Sequence, residues 1–388
     1  MKNKSSIISL IPILFGFFVM GFCDIIGVSV TYAKEQFNWS ETQAGFLPSM
    51  VFLWFLVLSV PAAGVMNTIG RKNMVLISMF FTFAGMILPF IEFNAMICFA
   101  AFALLGIGNT ILQVSLNPLL SNIVQGKMLT GTLTGGQFIK SVSAFLGPII
   151  AGFCSLRLGS WEMIFPFYAF IALVSALWLY FTRIDKEKVE HAPSLGITFN
   201  LLKNKKILFL FLGILAIVGL DVGMNILVPK LLMERIGLAK EAAGYGTSWY
   251  FAARTAGTFI GAFLLVRVTE IKYFRINIIL TLSALIGLFF VHSYFLIILM
   301  VVIIAFTCST VFSILFSVAL QTKPRNANEI SGLMVTGVSG GAIVPPLMGI
   351  CTEHIGNQNG SILIILICTL YLVFWAFALN NTPKTRNA

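Results

Sequence analysis

Twelve runs of mostly apolar residues, each long enough to cross a bilayer, constrain this chain more than any other feature. A hydrocarbon core about 30 Å thick needs about 20 residues of helix to span it. The runs cover residues 7–33, 44–66, 74–93, 95–123, 131–155 and 162–182, then 207–233, 242–266, 275–292, 294–321, 330–351 and 359–380. Residues 74–123 and 275–321 are each nearly continuous and divide in two by length. Lipid offers the backbone no hydrogen bonds, so each run must satisfy its own N–H and C=O groups as a helix. The expected fold class is therefore an all-α membrane protein with 12 transmembrane helices. Composition agrees: 58% of residues are hydrophobic and 10% charged, where a soluble domain carries about 25% charged residues. A soluble enzyme is excluded. The first run continues well past the length of a leader's apolar region, contains Asp24 and lacks an A-x-A site. It reads as a retained span.

The formal net charge of +11 would suggest a nucleic-acid partner in a soluble protein. Distributed over the loops, it reads as topology instead. Loops on the side of the N-terminus, with both tails, hold 18 of the 25 Lys and Arg residues, among them Arg71, Lys72, Arg183, Lys186, Lys188 and Arg325. The opposite loops hold 4: Lys34, Arg157, Arg235 and Lys240. Positive charge is retained on the cytoplasmic side, so both termini and the central loop are expected there. No nucleic-acid partner is expected. The loop Arg183–Lys206 is the longest polar segment. It divides the chain into 1–182, an N-terminal six-helix bundle, 183–206, a cytoplasmic linker, and 207–388, a C-terminal six-helix bundle.

The two bundles repeat each other. GFCDIIG at Gly21–Gly27 resembles VGLDVG at Val218–Gly223, and Asp24 and Asp221 lie 197 positions apart. Gly135, Pro148 and Gly152 map at that offset to Gly332, Pro345 and Gly349. Two homologous halves suit a transporter, with the substrate site expected between them near the midplane.

Ionisable side chains within a span are costly and usually face a cavity or a partner. Asp24, Lys140, Asp221, Lys230 and Arg254 qualify. Asp24 and Asp221 are candidate proton-coupling residues, since a buried carboxylate holds its proton more readily. Asn109, Gln113 and Asn117 recur at four-residue spacing on one helical face. Amides both donate and accept hydrogen bonds, which suits hydroxyl recognition. Gln137 and Lys140 share a face of the fifth span. Asp221 and Asn225, and Tyr250 and Arg254, are i, i+4 pairs. Lys140 and Arg254 either pair with the aspartates or bind an anionic or polar substrate. Lys230 lies near a span end and can snorkel.

Other chemistry lacks its residues. His191, His292 and His354 form no metal-ligand spacing, GxxxxGK[ST] is absent, and GxSxG is absent. No cofactor, metal or catalytic residue is expected, and the chain does not read as an enzyme. The six cysteines lie mostly inside apolar runs and read as small buried residues.

The motifs carry a resemblance. Two six-helix halves, a basic central loop and GVMNTIGRK after the second span resemble the major facilitator superfamily, with Asn67 at the usual aspartate. Within it the chain resembles the fucose permease and glucose/galactose transporter branch. Asp24, Asn117-Pro118, Gln137 and the glycine-rich GVSGGAIVPPLMG at Gly337–Gly349 carry this likeness. The resemblance implies two pseudo-symmetric six-helix bundles in the superfamily fold. It also implies alternating-access transport of a monosaccharide or sugar derivative by proton symport, in a bacterial inner membrane, by a monomer. Partners would be that small molecule, a proton or other coupling ion, and the lipid bilayer. Departures bear on mechanism. Gln113 replaces the branch's second acid, Lys140 replaces a sugar-contacting asparagine, and Thr258 stands at its arginine, with Arg254 one turn earlier. These admit a carrier of a sugar acid or other organic anion, bound by Lys140 and Arg254. A multidrug exporter or a non-transporting sensor are the remaining rivals.

Overall fold

The structure is a computed structural model that describes residues 2–26, 29, 32–33, 36–39, 41–184, 195–238 and 240–378. Part of the expected linker, including His191, and the basic C-terminal tail lie outside the described residues. The described residues are helical, with no strand among them. The helices are α1 Lys2–Met20, α2 Glu41–Ile69, α3 Arg71–Ile91, α4 Ala95–Ile123, α5 Lys127–Leu158, α6 Ile164–Phe181 and the short α7 Leu195–Leu201. Then follow α8 Lys205–Ile236, α9 Lys240–Arg267, α10 Glu270–Phe290, α11 Tyr294–Cys308, α12 Val311–Thr322, α13 Ala327–Thr336, α14 Gly340–Ile355 and α15 Asn359–Ala378. Eleven helical stretches are long and apolar enough to cross a membrane, and Ser9–Ile25 is a shorter apolar one. They coincide with the twelve runs, and both continuous runs divide, at 92–94 and 291–293.

Local chemistry sets these limits. Gly70, at φ 87°, makes the one-residue corner between α2 and α3, a backbone angle that side chains disfavour. Asn94 caps α4 by accepting the Ile97 N–H at 2.9 Å. Some runs are not single helices. The first passes from α1 into a 3-10 stretch at Gly21–Ile25, the tenth turns at Ser309-Thr310 between α11 and α12, and the eleventh passes through a 3-10 stretch at Gly337–Ser339 between α13 and α14. At the last of these breaks, Gly340 lies so close to α8 that a Cβ there would overlap the Leu215 carbonyl.

Contacts divide the chain into two compact units. The first comprises Met1–Leu129, Gly135–Asn204 and Ala319–Thr336; the second comprises Thr130–Thr134, Lys205–Val318 and Gly337–Ala388. In the first, α4 is the central helix. A Cβ at Gly108 would stand 2.5 Å from Thr82 Oγ1 on α3, and one at Gly106 would stand 2.7 Å from the Val51 Cα on α2. Small residues let helices approach closely where lipid supplies no hydrophobic drive between them. In the second, a Cβ at Gly257 on α9 would stand 2.5 Å from the Phe306 carbonyl on α11. Large apolar side chains face outward in both, including Phe80, Phe90, Phe145, Phe170, Phe263, Phe290 and Phe374. Such a surface is matched to lipid rather than water.

Each unit also holds a polar cluster at the start of its second long hairpin. In the first, Arg71, the opening residue of α3, donates through Nε to Asn328 Oδ1 at 2.7 Å and through Nη1 to the Pro118 carbonyl at 3.1 Å and to Asn122. Asn67 donates to Glu329 Oε1 at 2.5 Å and accepts from Asn328 Nδ2 at 2.5 Å. In the second, Glu270 opens α10, and the Thr130 hydroxyl donates to it and lies 2.6 Å from Ser317 Oγ. Arg71 and Glu270, Pro118 and Ser317, and Thr130 and Glu329 are each 199 positions apart. The repeat thus places polar groups at matching positions in both units, with Glu270 where the first unit has Arg71.

Candidate functional site

The first unit carries its polar group where its first span stops being an α-helix. α1 ends at Met20, and Gly21–Ile25 winds as a 3-10 helix. Asp24 lies in that turn. Its Oδ2 is 3.9 Å from Lys140 Nζ on α5, with side-chain exposures of 44% and 21% respectively. This is an ion pair beyond hydrogen-bond distance. Gln137, one turn before Lys140, is half-buried, and its backbone carbonyl accepts from the Ser141 hydroxyl at 2.9 Å.

The amide stripe of α4 is buried and internally bonded. Asn109 Nδ2 donates to the Met20 carbonyl at 2.9 Å. Gln113 Nε2 donates to Asn109 Oδ1 at 3.0 Å, and Asn117 Nδ2 donates to the Gln113 carbonyl at 2.9 Å. All three are buried. The four-residue spacing placed them on one face, as the sequence suggested, and that face is packed against protein.

The second unit holds a tighter group. Asp221 lies on α8, which is α-helical from Lys205 to Ile236. Arg254 Nη1 stands 3.0 Å from Asp221 Oδ2, and Tyr250 Oη donates to Asp221 Oδ1 at 2.7 Å. The i, i+4 spacing on α9 delivers both donors to one carboxylate. Charge-assisted bonds of this kind are stronger than neutral ones. Tyr250 is fully buried, whereas Trp249 is half exposed and stands outside the cluster. Asn225 donates to the Asp221 carbonyl at 2.9 Å, and its own Oδ1 is buried with no partner among the described residues.

Other expectations resolve plainly. Thr258 is buried and donates to the Thr255 carbonyl at 2.8 Å, a bond within its own helix. Lys230 is exposed. His292 and His354 bond backbone carbonyls at exposed positions. All six cysteines are free. Among the described residues no group of three or more His, Cys, Asp or Glu could hold a metal ion. Sequence reasoning passed over Glu329, which stands one residue before the expected eleventh span yet is buried against Asn67. Asn67 at an expected aspartate was the available signal for a displaced acid.

Comparison with known proteins adds three findings. The family model of the Major Facilitator Superfamily matches residues 13–339 and 209–388. A protein of Brucella abortus biovar 1 (strain 9-941), named glucose/galactose transporter, is 23% identical over 393 residues, covering 96% of this chain and 94% of its own. Among solved structures, FucP in its outward conformation superposes with TM-score 0.86 at 17% identity, covering 97% of this chain and 100% of that one. A second FucP structure, of a variant described as the E. coli fucose:proton symporter, gives 0.86 at 16% with the same coverage. The proton:xylose symporter XylE gives 0.74 at 12%, covering 97% and 96%.

Proposed function

The chain belongs to the Major Facilitator Superfamily, and from that premise we propose that it is a secondary active transporter for a neutral monosaccharide, coupled to protons. It is a transporter and not an enzyme. The observation that carries the substrate reading is charge pairing. Lys140 faces Asp24 and Arg254 faces Asp221, while Lys230 is exposed. The positive excess counted along the spans therefore cancels within each unit. Polar groups without net charge favour a neutral, hydroxyl-rich molecule. Gln137, Lys140 and Asp24 offer it donors and acceptors that are half open, unlike the buried α4 stripe. The names of the glucose/galactose and fucose relatives support the same class.

Asp24 is the proton site in this reading. Both oxygens of Asp221 are engaged by Tyr250 and Arg254. Asp24 lies 3.9 Å from Lys140 and its side chain is 44% exposed, so a proton can reach it and weaken its hold on Lys140. Loading substrate and proton on one side and releasing them on the other is alternating access. The cycle operates in a bacterial inner membrane with both termini cytoplasmic, an orientation supported by the excess of basic residues in the loops on that side.

A second reading follows from the same loose pair. Lys140 can turn to a substrate carboxylate, which would make the protein a sugar-acid carrier. Uptake into proteoliposomes of neutral hexoses and their uronic acids, with and without an inward proton gradient, tests both. The expected result is hexose uptake that rises with the gradient, and loss of that rise in Asp24→Asn. Hexose uptake indifferent to the gradient overturns proton symport. A uronate preference that disappears in Lys140→Gln establishes the carrier reading instead.

A further inference from the structure

We propose that Asn109 is a positioning residue for Asp24: it holds the carbonyl at which the first span switches from α to 3-10 winding, and it does not touch substrate. This rests on the reading of Asp24 as the proton site. The winding change matters because a 3-10 helix advances about 120° per residue against about 100° for an α-helix. Over the four residues from Met20 to Asp24, the carboxylate is turned by about 80° and displaced by about 2 Å from where a continued α-helix would place it.

The switch is clamped from two helices. From α4, Asn109 Nδ2 reaches the Met20 carbonyl at 2.9 Å. A reversed Asn109 amide would set its Oδ1 against the Met20 carbonyl, two acceptors together, so its nitrogen faces Met20 while its Oδ1 accepts from Gln113 Nε2 at 3.0 Å. From α5 the backbone itself presses on the turn. A Cβ at Gly21 would stand 2.6 Å from the Lys140 carbonyl and 2.6 Å from Ser143 Cβ. The residue whose side chain faces Asp24 is thus the one whose backbone bounds the turn. Asn109 is 2% exposed with both ends of its amide engaged, which leaves it out of reach of a substrate.

The repeat supplies an internal control. Asp221 occupies the equivalent position on unbroken α8. At either offset that relates the halves, 197 or 199, the counterpart of Asn109 is Phe306 or Cys308. The half that lacks the break lacks the amide as well.

Cys23 lies in the same turn, is 4% exposed and has its thiol against the Asn109 side chain, so its alkylation by a membrane-permeant maleimide is read in Asn109→Leu and also in Gly21→Ala, which disturbs the turn and leaves that side chain in place. The experiment compares wild type, Asn109→Leu and Gly21→Ala, with labelling at Cys23 read by mass spectrometry of its peptide. We expect faster Cys23 labelling in both variants, by about tenfold, the equivalent of one lost hydrogen bond to a buried carbonyl. The response of hexose uptake to the proton gradient should fall while KM stays within about twofold, because a group acting through Asp24 leaves sugar binding in place. In an Asp24→Asn background, Asn109→Leu should add nothing to the transport defect. Unchanged Cys23 labelling together with a KM raised at least about tenfold would make Asn109 a substrate ligand and overturn the proposal. Unchanged labelling with unchanged transport would overturn it equally. If Asp24→Asn alone keeps its gradient response, the coupling reading falls, and Cys23 labelling still decides whether Asn109 positions the turn.

Discussion

Asp221 has no free carboxylate oxygen: the Tyr250 hydroxyl takes one at 2.7 Å and the Arg254 guanidinium the other at 3.0 Å. A partner removed from such a group leaves a charge without compensation, at a cost below the roughly 3–5 kcal/mol of a fully buried pair, since the Arg254 and Asp221 side chains are 33% and 19% exposed. Asp221→Asn should therefore unfold well below wild type in detergent, as Arg254 loses its counter-ion. The double variant Asp221→Asn/Arg254→Gln should recover much of that loss, since both charges leave together. Thermal unfolding followed by a fluorescent thiol dye checks this, and a double variant no more stable than Asp221→Asn would refute it. Tyr250→Phe should cost less, about 1.5–3 kcal/mol for a hydrogen bond to a charged group. At this scale the sequence put Tyr250 and Arg254 on one helical face and left their partner open. Tyr250 and Arg254 were legible as an i, i+4 pair because helical spacing is local. That Asp221 receives both depends on how α8 and α9 pack, which no spacing within either helix encodes.

Helix ends carry the next level of organisation. Arg235, in the last turn of α8, donates to the Leu288 and Val291 carbonyls at 2.6 Å each and to Asn359 at 2.6 Å, so it closes the end of α10 and meets the start of α15. Cations at a helix C-terminus satisfy carbonyls that lack an intrahelical partner. At the start of α3, the acid of the cluster is Glu329, while Asn67 stands where the superfamily usually carries aspartate. Restoring that aspartate should be harmful here. Asn67→Asp removes the donor to Glu329 and sets two carboxylates together, which should destabilise the protein by about 1–3 kcal/mol. Glu329→Gln in the same chain should restore stability, because the amide can donate where Asn67 once did. Thermal unfolding of the two variants distinguishes this from a simple loss of packing, in which the second substitution would only add damage. The Asn67 departure was visible in the sequence. Its compensation 262 residues away was not, because hydrogen bonds across that distance are made by the fold.

For the whole molecule, charge pairing has a consequence in the membrane potential. A neutral sugar carried with one proton moves one net positive charge per cycle, whereas a uronate carried with one proton moves none. One charge is worth about 2.3 kcal/mol per 100 mV, equivalent to about 50-fold in accumulation. An imposed potassium diffusion potential, inside negative by about 100 mV, should therefore raise hexose accumulation in proteoliposomes by up to that factor. Hexose accumulation that ignores the potential, yet still follows the proton gradient, would show that no net charge crosses with the sugar and would refute symport of a neutral hexose with one proton.

The twelve runs, the helical class and the charge bias that directs topology were determined by the sequence alone, because each follows from the free energy of placing apolar side chains, backbone and charge in a bilayer, one segment at a time. The same local arithmetic placed Asn109, Gln113 and Asn117 on one face. Only the tertiary structure decided that this face meets the Met20 carbonyl, that the first span tightens at Gly21, and that Lys140 and Arg254 each face an aspartate. Those outcomes depend on contacts between helices far apart in the chain, where a glycine without a Cβ or an amide at 2.9 Å selects one arrangement among many that apolar periodicity leaves equal.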